Sequence, residues 1–192
     1  MPRAGLNTSH VVTSGAELAD EAGIGAVSFA ALAERLGVRA PALYKHVDSI
    51  GNLQHRIATL AMTELGDALR DALQGKSGAK AIGALFATVQ SYIDKHPGRY
   101  CATIGAQFQG PEDPLLAAAT RVIDSVHAVL SSYGIQPDER DHAMRMLRCT
   151  MHGYAVLKAN NAFQWGNDPD ESLAWMVRLI DGGLTKVGVP ER

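Results

Sequence analysis

Cysteine is scarce in this chain, and its positive and negative charges nearly cancel. Cys101 and Cys149 are the two cysteines, far apart in sequence. No disulfide framework and no CxxC metal pair can be drawn from them, which suits a reducing compartment. No apolar run approaches the roughly 18–20 residues that span a bilayer. The opening MPRAGLNTSHVV has no apolar signal-peptide core. The expected location is therefore the cytoplasm, with no membrane partner. The net charge of −2 counts against a surface that binds nucleic acid everywhere. No Gly-rich phosphate loop, nucleophile elbow or HExxH occurs, so no catalytic residue is named and the chain is read as a non-enzyme. The seven histidines do not cluster. Asp138, Glu139, Asp141 and His142 are ligand-like in type, but helical spacing scatters them around one exposed first turn. Acidic residues there serve more simply as cap and dipole partners, and neither a metal nor a cofactor is expected. Gly and Pro are not periodic, which excludes collagen-like and disordered classes.

What is present is apolar residue at helical spacing. Hydrophobic content of 46% over 192 residues supports a packed core in one large domain, or in a small one plus a medium one. Residues 28–47, SFAALAERLGVRAPALYKHV, organise the rest. Ser28 is a good N-cap, and Val27 before it can staple onto Leu32. Gly37 ends that helix because it tolerates a left-handed conformation. A second short helix restarts around Arg39, with Pro41 in a first turn whose amides have no intrahelical acceptor to lose. Leu43 and Val47 are expected to face inward, while Arg39, Ala42, Tyr44, Lys45 and His46 stay outside. A helix, a Gly-containing turn and a short cationic helix is the build of a DNA-reading helix-turn-helix. The basic signal is local: the end of the second helix, the third helix and Arg56.

Leu32-Ala33-Glu34-Arg35-Leu36-Gly37-Val38 followed by Leu43-Tyr44-Lys45-His46-Val47 resembles the DNA-binding domain of TetR-type transcriptional repressors. The likeness extends from Val11 to Leu53, about a quarter of the chain. It implies phosphate contacts from Tyr44 and Lys45, base or phosphate contacts from Arg39, and a backbone contact from His46. Pro41 and Ala42 are expected against thymine methyls, and Ser28 against a phosphate with help from its helix dipole. The family commonly has a lysine near the start of the fourth helix, where this chain has Ile50 and Gly51.

The fold class expected is all-α, about nine helices: a three-helix DNA-binding head over residues 1–48 and a helical effector and dimerisation body over 49–192. The first helix covers 7–22 with Asn7 as cap. The fourth runs from Asp48 or Ser49 to about Leu73, and residues 74–78 break the chain. Further helices are read at 79–95, 98–108, 114–133, from Asp138 as cap to about Ala159, and from Asp168 or Asp170 to about Val187. The last two are apolar on more than one side, so a second subunit is the natural partner. Met146, Gly153, Leu157, Trp175, Leu179 and Gly183 are the expected dimer interface. In the repressor family the final two helices usually make that dimer. Met151-His152-Gly153-Tyr154-Ala155-Val156-Leu157, with Phe163 beyond, also resembles a regulator domain named for a Trp-His-Gly motif, with Met151 in place of tryptophan.

Phe86, Val89, Tyr92, Tyr100, Phe108, Val126, Leu147, Met151 and Tyr154 concentrate apolar and aromatic surface between helices. Core packing accounts for such residues by default, and the family resemblance implies that some of them line an effector cavity. Cys149 reads as a small buried hydrophobe. The resemblance implies a repressor that binds a palindromic operator as a homodimer and is released by a small molecule. The competing reading is a helical small-molecule-binding or catalytic protein with a vestigial head.

Overall fold

The computed structural model describes residues 6–166 and 168–188. Every regular element among the described residues is helical. The α-helices are α1 Thr8–Ala22, α2 Phe29–Leu36, α3 Ile50–Leu73, α4 Gly78–Lys95, α5 Pro97–Thr103, α6 Pro114–Ser131, α7 Arg140–Ala159 and α8 Pro169–Val187. Two 3₁₀ segments, Ile24–Ala26 and Ala40–Lys45, flank α2.

Local chemistry sets most boundaries. Asn7 accepts from the His10 amide at 2.8 Å, Ser28 from Ala31 at 3.2 Å and Ser49 from Asn52 at 3.0 Å, so α1, α2 and α3 each start on a side-chain cap. Two boundaries differ from expectation. α5 stops at Thr103 rather than continuing to 108, because Ile104 already lies in extended backbone. α7 begins at Arg140 without a side-chain cap from Asp138; Glu139 is already in the helical region, closing a turn onto the Gln136 carbonyl.

Two compact units result, one from residues 6–64 and 95–119, the other from 65–94 and the described part of 120–188. The first packs Val11, Ala16, Ala19, Val27, Leu32, Leu43, Val47, Leu53 and Ile57 into one core. The second buries Leu69, Ile82, Leu85, Phe86, Ile93, Leu130 and Leu147. No described helix is long and apolar enough to cross a membrane.

Candidate nucleic-acid interface

The interface is built on a tight turn. Gly37 adopts φ 65°, ψ 33°, a left-handed conformation in which a side chain is strained. The Val38 amide reaches back to the Ala33 carbonyl at 3.0 Å and the Gly37 amide to Glu34 at 3.1 Å, which closes the end of α2. The chain then enters Ala40–Lys45 with Pro41 in its first turn. This segment is 3₁₀ rather than the α-helix expected. Six residues with a proline in the first turn and no side-chain cap suit the tighter winding.

The winding matters because residues three apart eclipse in a 3₁₀ helix. Ala40, Leu43 and His46 fall in one row, which turns inward, with Leu43 fully buried. Arg39, Ala42 and Lys45 form a second row, and Pro41 and Tyr44 a third. Arg39, Pro41, Tyr44 and Lys45 are exposed, while Ala42 and His46 are half-buried. Ser28 is exposed, with its Oγ already accepting from Ala31. The Tyr44 ring lies against Phe29, with centroids 4.5 Å apart and planes tilted by 48°.

Charge is narrower than the sequence suggests. Arg35 was counted in the basic signal, yet its Nη1 donates to Glu21 at 2.6 Å and its Nη2 to Glu17 at 3.1 Å. The hydrogen bond from Arg35 holds the Glu21 carboxyl below its ordinary range. This cation is neutralised within α1 and α2. Arg39 and Lys45 stand on the outward rows, and Arg56 donates from Nε to Asn52 at 2.9 Å.

Sequence reasoning missed what lies behind α1. Asp20 accepts from the Arg99 amide at 2.8 Å, and its other oxygen faces Arg99 Nε at 2.9 Å and His96 Nδ1 at 3.2 Å. Arg99 Nη1 continues to Glu64 at 3.0 Å. Gly98 lies so close to α1 that a Cβ there would overlap the Ala19 carbonyl. The punctuation His96-Pro97-Gly98 was the available signal, and its meaning is that α5 is pressed onto α1. In the same unit the nearly enclosed Asp113 carboxylate accepts from the Gln109 and Leu115 amides at 2.8 and 2.9 Å and meets His55 Nε2 at 2.9 Å.

Residues 11–53 match the family model of bacterial regulatory proteins of the tetR family, and 82–180 match a tetracyclin repressor-like C-terminal domain. The chain belongs to the tetR family of bacterial regulatory proteins. It is 30% identical to the HTH-type transcriptional regulator YobS of Bacillus subtilis across 95% of both chains. It is 29% identical to the regulator Rv0681 of Mycobacterium tuberculosis, over 94% of this chain and 83% of that one. A solved TetR variant from Acinetobacter baumannii in complex with minocycline shares the fold at TM-score 0.71 and 18% identity, covering 97% of this chain and all of that one. A Rhodococcus protein does so at TM-score 0.77 and 20% identity, over 96% and 99%. This is a DNA-binding transcriptional regulator of that family with a ligand-binding type of C-terminal domain.

The TetR-type body distributes the remaining candidates unevenly. Phe86, Val89, Tyr92, Val126, Leu147 and Tyr154 are buried in the second unit, with Met151 half-buried beside them in sequence. Tyr100 and Phe108 belong to the first unit instead, and Phe108 is 53% exposed on the loop after α5. Tyr154 donates to the Pro169 carbonyl at 2.8 Å and packs on Phe163, centroids 5.4 Å apart. Among the described residues of the second unit, the buried atoms Gln90 Oε1 and His127 Nε2 have no hydrogen-bond partner. Along α7 and α8, Met146, Leu157, Trp175 and Leu179 are exposed, the last two at 56% and 61%, and nothing crowds Gly153 or Gly183. Cys149, expected to be buried, is exposed because it falls on this outward stripe between Met146 and Gly153. Among the described residues no group of three or more His, Cys, Asp or Glu is arranged to hold a metal.

Proposed function

We propose that this regulator is a cytoplasmic repressor that binds a palindromic operator as a homodimer and lets go when a small molecule enters its body. The functional division falls between a reading head over 1–48 and an effector and dimerisation body over 49–192. The carrying observation is that Ala40–Lys45, with Arg39 just before it, buries Leu43 while Arg39, Tyr44 and Lys45 stay exposed. Arg39, Pro41 and Ala42 face base edges, Tyr44, Lys45 and His46 hold the sugar-phosphate backbone, and Ser28 meets a phosphate at the start of α2. Two such segments enter successive major grooves about 34–36 Å apart.

Dimerisation uses the exposed apolar stripe of α7 and α8: Met146, Gly153, Leu157, Trp175, Leu179 and Gly183. An exposed apolar surface rimmed by polar residues is characteristic of a protein interface. The effector sits among Phe86, Val89, Tyr92, Val126, Leu147, Met151 and Tyr154. Gln90 Oε1 and His127 Nε2 support this reading, because a buried polar atom without a partner is costly and a ligand can satisfy it. The minocycline complex of the Acinetobacter TetR supports a ligand in this type of body. Binding shifts α3 only as far as the effector prefers one conformer over the other.

The test is titration against a duplex selected from random sequence by the full-length protein. Arg39→Ala is expected to cost roughly 1–3 kcal/mol and relax discrimination at one base pair, whereas Lys45→Ala weakens all sequences alike and lowers the salt slope by about 1. Arg35→Ala leaves the salt slope alone, since its charge is already matched. Failure to select any duplex, or retained affinity in Arg39→Ala and Lys45→Ala, sinks the assignment.

A further inference from the structure

We propose that Phe29 is a positioning residue for DNA recognition: its ring is a shelf that sets the Tyr44 side chain for the duplex before the duplex arrives. This rests on the reading that Tyr44 contacts the DNA backbone.

Phe29 is the first residue of α2, not part of the reading segment. Its place is set from below and beside. Val27 is buried, Ser28 caps the helix onto Ala31, and the Phe29 ring is half-buried against the core of the first unit. Tyr44 sits on the outward side of Ala40–Lys45 and is 55% exposed, with no hydrogen bond from its hydroxyl among the described residues. Ring contact with Phe29, at 4.5 Å and 48°, is therefore the described interaction that restrains it. That geometry lies in the offset, tilted range that aromatic pairs favour. An exposed tyrosine loses rotamer freedom when it is fixed on DNA, and a ring already fixed loses less. The shelf thus converts a mobile phenol into a preset donor, and it couples the start of α2 to the reading segment without using any residue of the turn.

Binding is measured with the full-length protein on the selected duplex, alongside thermal melts. The variants are Phe29→Leu, which keeps apolar volume and loses the ring, Phe29→Met beside it in case leucine disturbs folding, Phe29→Tyr, Tyr44→Ala, and Phe29→Leu with Tyr44→Ala. Phe29→Leu is expected to weaken binding by about 3- to 10-fold, Phe29→Tyr to bind as the parent does, and Phe29→Leu to change affinity by less than about twofold once Tyr44 is alanine. A loss of equal size in the Tyr44→Ala background means that Phe29 acts through head packing, and the shelf is overturned. Unchanged binding by both Phe29→Leu and Phe29→Met, with Tyr44→Ala weakened, also overturns the shelf but leaves the Tyr44 contact standing. Unchanged binding by Tyr44→Ala removes the contact itself, and the shelf with it.

Discussion

The two compact units finish their surfaces in opposite ways. The first buries most of its apolar residues, with Ile104 and Phe108 after α5 as exposed exceptions, and leaves Arg39, Tyr44 and Lys45 outside; it even matches Arg35 internally against Glu17 and Glu21. The second leaves Trp175 and Leu179 more than half exposed on α8, with Met146 and Leu157 exposed on α7. An outward cation without an internal partner suits a polyanion, and an outward apolar stripe suits another apolar stripe. What each unit fails to satisfy within itself is the best guide to what it binds.

Glycine gives the sharpest way to break this comparison. Gly98 in the first unit lies where a Cβ would overlap the Ala19 carbonyl, whereas nothing crowds Gly83 within α4 of the second. Gly98→Ala is expected to cost about 3 kcal/mol, because backbone cannot move aside as a side chain can. Gly83→Ala is expected to gain about 0.5–1 kcal/mol by helix propensity. Urea melts of both variants read the two signs directly, and equal effects would mean that α5 is not pressed onto α1. Next in size is the apolar stripe. Leu179→Arg is expected to weaken self-association by about 2 kcal/mol or more while leaving the melting of the monomer nearly unchanged. Light scattering across a dilution series checks it, and a parent protein that is already monomeric ends the homodimer reading.

Much of this was legible where the determinants are local. Asn7, Ser28 and Ser49 act as caps within three residues of their targets, and the Gly37 turn is closed by amides nearby. Within 39–47 the inward turn of Leu43 and Val47 and the outward turn of Arg39, Tyr44 and Lys45 followed from spacing alone, whereas Ala42 and His46, expected outside, are half-buried. What was not legible depends on distant partners. Asp20 and Arg99 lie 79 residues apart, so their pairing leaves no local mark in the sequence. Arg35 looked like a free cation because Glu17 and Glu21 meet it only after α1 and α2 pack. Cys149 was misplaced for a different reason: α7 is apolar on two sides, and composition does not say which side is covered. The Phe29 ring carried no polar signal at all.

The smallest expected effect sharpens the comparison through acid. Asp113 is nearly enclosed, with its side chain 2% exposed, whereas Asp170, paired to Lys158 at 2.6 Å, is 69% exposed. Burial pushes the Asp113 carboxyl upward, but the Gln109 amide, His55 and the Leu115 amide together hold it below its ordinary value near 3.8. The charged form is thus favoured by folding, so its stabilisation is complete above that ordinary value and is lost as pH falls through the lower folded value. Asp170 is lowered too, chiefly by its hydrogen bond from Lys158, and follows the same sign. Asp113→Asn is expected to lower stability at neutral pH and to flatten the fall toward pH 3 in urea melts. Asp170→Asn does the same only weakly, and its effect disappears at roughly 1 M salt, where the screening length is about 3 Å. The Asp113 effect persists there, since amide hydrogen bonds to an enclosed carboxylate are not reached by mobile ions; an equal response of the two variants to salt would show that the loop around Asp113 is open to solvent.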